Sequence, residues 1–253
     1  MEYSKVEKSL GSWGYMFKEF ITSEAMDKLF GYIRERKKVA RICPDSADVF
    51  RCFTATPPDK VRVIIAGISP YHTWVGNDKG NWKAAEQYPI ADGLALSCSR
   101  SWRIKGLQPS LEMFYDQVEH VYTDGLMDPN MVRDGDLKYL AEQGVLLYNV
   151  ALTVEENKAC SHNDAWMPFN KFFWEEVVNK YMKGVCVILL GQQAHKSEQY
   201  INPLLHYIFK CEHPASASYK GATWDDGGTF KAIDKILMDN NGSTVQWKSV
   251  VPF

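Results

Sequence analysis

Short apolar runs alternate along the chain with longer stretches whose apolar positions recur every three or four residues. The runs at 61–66, 93–97, 144–149, 185–190 and, more weakly, 206–211 are bounded by Gly, Pro or polar residues, a pattern that predicts buried strands. The stretches at about 110–122, 134–142, 168–182 and 194–204, with a last one near 228–239, carry the spacing of amphipathic helices. Before them, Trp13, Phe17, Phe20, Met26, Leu29, Phe30 and Ile33 sit at near-helical spacing and end in the charged run 34–38, which predicts one or two helices over 12–38. Strand and helix alternating at this pitch imply an α/β fold, a largely parallel sheet with helices on both faces.

Two segments interrupt the pattern and read as loops. Residues 73–92 mix Gly, Asn, Asp and Pro with Trp74, Trp82 and Tyr88, and residues 213–228 are small and polar around aromatic side chains. Loops longer than about 12 residues in a compact domain are often functional. No repeat, low-complexity tract or linker divides the chain, so residues 1–253 are expected to form a single domain.

Composition narrows the classes. A hydrophobic content of 45% over 253 residues is enough for one substantial core. The net charge of −2 gives no global attraction for a polyanion, so nucleic-acid binding would have to come from local loops, helix termini and neutral donors. No apolar run approaches the roughly 20 residues of a membrane span, and the N-terminus lacks a signal-peptide core, so an intracellular location is expected, host cytoplasm or nucleus for a viral protein. The six cysteines form no CxxC pair and lie near no His at zinc-ligand spacing. Free, mostly buried thiols are expected, with no metal and no cofactor.

The sharpest local signal is GISPYH at 67–72, which follows the first strand-like run. Ligands in α/β folds bind at the carboxyl ends of strands. The hexapeptide resembles the water-activating motif of family 1 uracil-DNA glycosylases, usually GQDPYH. Further matches follow in order: ADGLALS at 91–97 beside AHGLAFS, QPSLEMF at 108–114 beside PPSLxNI, and GVLLYNVALTV at 144–154 beside GVLLLNxVLTV. SHNDAW at 161–166, VILLGQQAHK at 187–196, HPASASYKG at 213–221 and VQW at 245–247 also echo family segments. The resemblance runs from about Trp13 to Trp247 and implies a three-layer αβα uracil-DNA glycosylase fold with a central, mostly parallel four-stranded sheet. Several of its departures are more typical of phage or viral versions.

Carried over by position, the resemblance assigns roles. His213 would donate to O2 of the departing base and Asn149 would read N3 and O4, since one amide offers both a donor and an acceptor. Tyr71 would stand against C5 and reject a methyl group, His72 would support the loop, and backbone amides at Ile68 and Ser69 would reach the base. Leu96 takes the place of a stacking phenylalanine. Phosphate contacts fall to Ser110, Gln192, Ser216, Ser218 and Lys220. The plainer readings are structural: PSL opens a helix with Ser110 as its cap, and Gly191 and Gln192 begin another.

Three departures bear on activity. Ser69 replaces the family's catalytic aspartate and can hold a water without acting as a base, a loss worth about 10²–10⁴ in rate. Ala217 stands about where a leucine would wedge into the duplex, which implies single-stranded or distorted DNA as substrate or a wedge elsewhere. The segment 73–92 is an insertion whose aromatic residues pin the loop, rebuild a stacking wall or contact DNA, and Asp78 and Asp92 are candidate substitutes for the missing carboxylate. The expectation is a divergent monofunctional glycosylase hydrolysing the bond to uracil or a modified pyrimidine in DNA. The alternative is a catalytically weak or inactive module for DNA or protein binding in viral DNA replication. Expected partners are DNA and either a protein partner or a glycosylase inhibitor.

Overall fold

Four of the five strand-like runs form one parallel sheet. The structure, a computed structural model, describes residues 3–75, 87–123, 131–220, 223–224 and 226–249. Strands β1 (Val63–Gly67), β2 (Val145–Asn149), β3 (Cys186–Leu190) and β4 (Tyr207–Cys211) lie in the order β2-β1-β3-β4, every neighbour parallel. All residues of β1, β2 and β3 are buried. Successive side chains point to opposite faces, so burial of every one means that both faces are covered, as a three-layer fold requires. β4 is the edge strand and is mostly open.

The covering helices are α1 (Glu24–Lys37), α2 (Pro109–Thr123), α3 (Asn163–Phe172), α4 (Gly191–His195), α5 (Pro214–Tyr219) and α6 (Thr229–Asn241). The segment 12–38 divides: a 3₁₀ turn and a four-residue helix precede α1, which starts where the Ser23 hydroxyl accepts from the amide of Met26. Trp13, Phe17, Phe53, Phe169 and Phe173 form one aromatic cluster that meets Tyr148 of β2 through Phe53 and Phe173, with Tyr148 and Phe173 centroids 4.5 Å apart. A second aromatic group, Phe114, Trp224, Phe230 and Trp247, joins α2 and α6 to the closing VQW segment. No helix among the described residues is long and apolar enough to cross a membrane.

Three expectations are corrected. The helix expected at 134–142 covers only Lys138–Glu142, because Asp134 and Asp136 accept from the amides two residues on and hold turns instead. The segment from 213 is no loop at its start, since His213 caps α5. The run at 93–97 is no strand. Gly93 and Leu96 have φ of 90° and 64°, which breaks any extended run, and the carboxylate of Asp92 gathers the turn by accepting from the amide of Leu94 (3.1 Å), the hydroxyl of Ser97 (2.7 Å) and the amide of Ser99 (2.9 Å).

Asp92 is fully buried and pairs with Arg51 at 3.0 Å, so its oxygens are committed to structure and it is not a spare catalytic carboxylate. Of the insertion, Trp74–Val75 pairs antiparallel with Tyr88–Pro89. Arg41 lies over the Trp74 ring and Tyr88 donates to the carbonyl of Arg100, so both aromatics anchor the stem. Asp78 and Trp82 lie outside the described residues. Replacing Asp92 with Ala strips three donors and Arg51 of their acceptor, and we expect a loss of about 2–4 kcal/mol of stability in urea unfolding. A loss of activity without loss of stability would contradict the structural role.

Candidate active site

The carboxyl ends of β1 and β2 build the floor of the site. Gly67 and Asn149 are partners in the parallel register, and the amides of Val150 and Ala151 donate to the carbonyls of Gly67 (2.9 Å) and Ile68 (3.1 Å). This ties the GISPYH loop to the loop after β2. A Cβ on residue 67 would lie 2.5 Å from Oδ1 of Asn149, so only glycine permits the amide to sit there. Asn149 is 6% exposed, and its carboxamide makes no hydrogen bond to the described residues.

That amide lines a cavity of about 460 Å³. Ile68, Ser69, Tyr71, His72, Leu96, Ser110, Asn149, His213 and Ser216 all contribute to it. Residues expected from five separated motifs therefore meet in one place. Gln192, Ser218 and Lys220 do not line the cavity: Gln192 is exposed in the first turn of α4, Ser218 is half-buried in α5, and Lys220 is exposed just past it.

His213 enters from the cap of α5. Its Nδ1 accepts from the amide of Ala215 at 3.2 Å, which leaves the proton of the neutral ring on Nε2. Burial pushes its pKa down to about 4, so the neutral form prevails. Gly191, at φ 80°, makes room for it: a Cβ there would lie 2.8 Å from that of His213.

Tyr71 donates its hydroxyl to the carbonyl of Leu96 at 3.0 Å, and Ser110 Oγ lies 2.8 Å from the Tyr71 hydroxyl oxygen. Burial raises the pKa of that hydroxyl, so it remains a donor. Ser110 stands inside the first turn of α2, which begins at Pro109, and does not cap it. The carbonyl of His72 accepts from the amide of Asn157 at 2.8 Å, which supports the loop, while its Nδ1 is buried without a partner among the described residues.

No Asp or Glu is among the described residues of the lining. Cys160 and Tyr219 are among the lining residues that the sequence did not single out. Cys160, at φ 61°, presents the one exposed thiol, and Tyr219, 85% exposed, stands at the rim. Ala217 is 9% exposed and turned inward, so the outward side chain of this segment is Tyr219. The helical geometry of α5 separates the two positions, and a loop reading of the segment hid it.

Residues 53–237 match the family described as the uracil DNA glycosylase superfamily. A Listeria innocua protein named uracil-DNA glycosylase 1 is 32% identical over 238 residues, covering 90% of this chain and 95% of its own. The uracil-DNA glycosylase of Pseudomonas paraeruginosa is 31% identical, with 93% of each chain covered. The crystal structure of mimivirus uracil-DNA glycosylase superposes with a TM-score of 0.74 at 21% identity, covering 93% of this chain and 86% of that one. A variant of mimivirus UNG in complex with UGI gives 0.75, also at 21% identity. With most of its length matched in sequence and its motifs gathered around one cavity, the chain belongs to the uracil-DNA glycosylase superfamily.

Proposed function

We propose that this protein is a DNA glycosylase that hydrolyses the N-glycosidic bond of uracil in DNA. The observation that carries the reading is the pairing, in one cavity, of an Asn149 amide with no hydrogen-bond partner among the described residues and a neutral Nε2–H donor at His213. A flipped uracil presents N3–H and O4 to one side and O2 to another. Asn149 accepts from N3–H and donates to O4, which selects uracil over cytosine, whose exocyclic amine and bare N3 reverse the pattern.

As the bond from C1′ to N1 breaks, its electron pair moves onto the base and negative charge grows at O2. His213 donates to that oxygen. Being neutral, it supplies a hydrogen bond without first shedding a proton, and its cap bond to Ala215 fixes its aim before reaction. Water adds to C1′ from the side of Ser69, whose hydroxyl can accept or donate to it. The proton released by the water leaves to solvent, since Ser69 is no base. Leaving-group stabilisation therefore carries the rate, and the absence of a carboxylate among the described lining residues supports slow turnover.

The DNA strand lies across the N-termini of α2, α4 and α5, where Gln192 and Ser216 present donors to phosphates, with Ser218 and Lys220 adding donors at the other end of α5. Tyr219 projects from the same rim and takes the wedge role that Ala217 cannot fill. Stacking of an aromatic on a base is worth about 1–3 kcal/mol.

Three outcomes check this reading. Oligonucleotides containing uracil, incubated with enzyme and then alkali, should be cleaved slowly, and Ser69→Asp should raise the rate by about 10²–10⁴; no cleavage by either protein at enzyme excess would overturn the function. Tyr219→Ala should slow excision from duplex by about tenfold or more while sparing single strands; equal loss on both would remove the wedge role. His213 should show the Nε2–H tautomer by nitrogen NMR at neutral pH and titrate near 4. An unfolded histidine binds its proton near pH 6.5, so the contribution of His213 to stability is full above about 6.5 and declines as pH falls towards 4.

A further inference from the structure

Tyr71 is held at its far end by two partners that come from different elements. Its hydroxyl donates to the carbonyl of Leu96, and a carbonyl can only accept. A phenol has one proton, so Ser110, 2.8 Å away, must donate its own proton to the Tyr71 oxygen. Ser110 is 3% exposed, and its hydroxyl is committed to this bond. The helix that carries it is anchored by the buried side chains of Leu111, Phe114 and Val118. On the other side, Leu96 adopts φ 64°, a left-handed conformation that a branched L residue takes reluctantly, and in that turn its carbonyl meets Tyr71.

We propose that Ser110 is a positioning residue for base selection. By donating to Tyr71 while Leu96 accepts from it, Ser110 fixes the tyrosine ring against C5 of the flipped base, so the ring cannot swing aside for a methyl group. The inference rests on the reading of the cavity as a uracil site with Tyr71 at its C5 edge. It gives Ser110 a task other than gripping phosphate, because the proton a phosphate would need is already engaged. Loss of one such hydrogen bond softens the position of the ring without removing the ring. Discrimination falls while recognition of uracil persists.

The test is a binding measurement, independent of turnover. Single-stranded oligonucleotides carry 2′-fluoro-2′-deoxyuridine, which resists hydrolysis, or its 5-methyl counterpart, and affinities are read for the wild type, Ser110→Ala, Ser110→Thr and Tyr71→Phe. We expect the wild type to prefer the C5–H base and Ser110→Ala to shrink that preference by about tenfold. Ser110→Thr, which keeps a hydroxyl, should restore it. Tyr71→Phe removes the oxygen at the other end of the same bond and should act like Ser110→Ala. The double variant Ser110→Ala with Tyr71→Phe should lose no more than either alone, as coupled partners do. If Ser110→Ala fails to fold, Tyr71→Phe against the wild type decides alone.

A preference left intact by Ser110→Ala and Tyr71→Phe would overturn the proposal. Equal weakening of both oligonucleotides, with a shallower salt dependence, would also overturn it and make Ser110 a phosphate contact. A wild type that binds neither oligonucleotide, or shows no preference between them, would instead sink the uracil-site reading itself.

Discussion

The close approach of the Asn149 amide to the backbone of Gly67 is the constraint on which the rest of the site depends. Parallel pairing puts the two residues side by side at the ends of their strands, and the missing Cβ of Gly67 leaves the amide 2.5 Å from where such an atom would stand. From that contact both loops take their course. The amides of Val150 and Ala151 hold the GISPYH loop, and the loop in turn brings Ile68, Ser69 and Tyr71 around the amide. The sheet does more than support the chemistry. Its register fixes where the donor and acceptor of Asn149 enter the cavity.

A second economy appears in the charges. The carboxylates near the site serve the scaffold: Asp92 closes the turn that carries Leu96, and the buried Glu155 pairs with Arg36 and with Lys158 under the loop that carries Asn157 and Cys160. Among the described residues, no carboxylate lines the cavity itself. Such a lining can read a base and ease the departure of an anion, yet it offers no strong base to the incoming water. On the proposed function, recognition and bond breaking are retained more fully than water activation, the balance expected where Ser69 takes the place that the family resemblance gives to an aspartate.

Much of this was legible in the sequence because it depends on local pattern. The strands Val63–Gly67, Val145–Asn149 and Cys186–Leu190 are apolar on both faces and read as buried runs, and each ends near a recognisable motif. The run at 93–97 misled because its apolar residues are buried by a turn around the Asp92 carboxylate, and burial alone does not distinguish a turn from a strand. Ser110 kept its place in the cavity and changed partner: position in a motif says where a hydroxyl sits, and only the fold shows that Tyr71 receives its proton. Tyr219 went unassigned for a similar reason, since the wedge was sought one helical face away, at the inward Ala217.

The central claim is that the cavity holds a flipped uracil between Asn149 and His213. A crystal structure with a single-stranded oligonucleotide bearing the hydrolysis-resistant 2′-fluoro-2′-deoxyuridine tests it most directly. The account predicts the Asn149 amide within hydrogen-bond distance of N3 and O4 and the His213 Nε2 within that distance of O2, with Ser69 facing C1′. A bound strand whose uracil lies outside the cavity, or inside it with Asn149 or His213 turned away, would contradict the account.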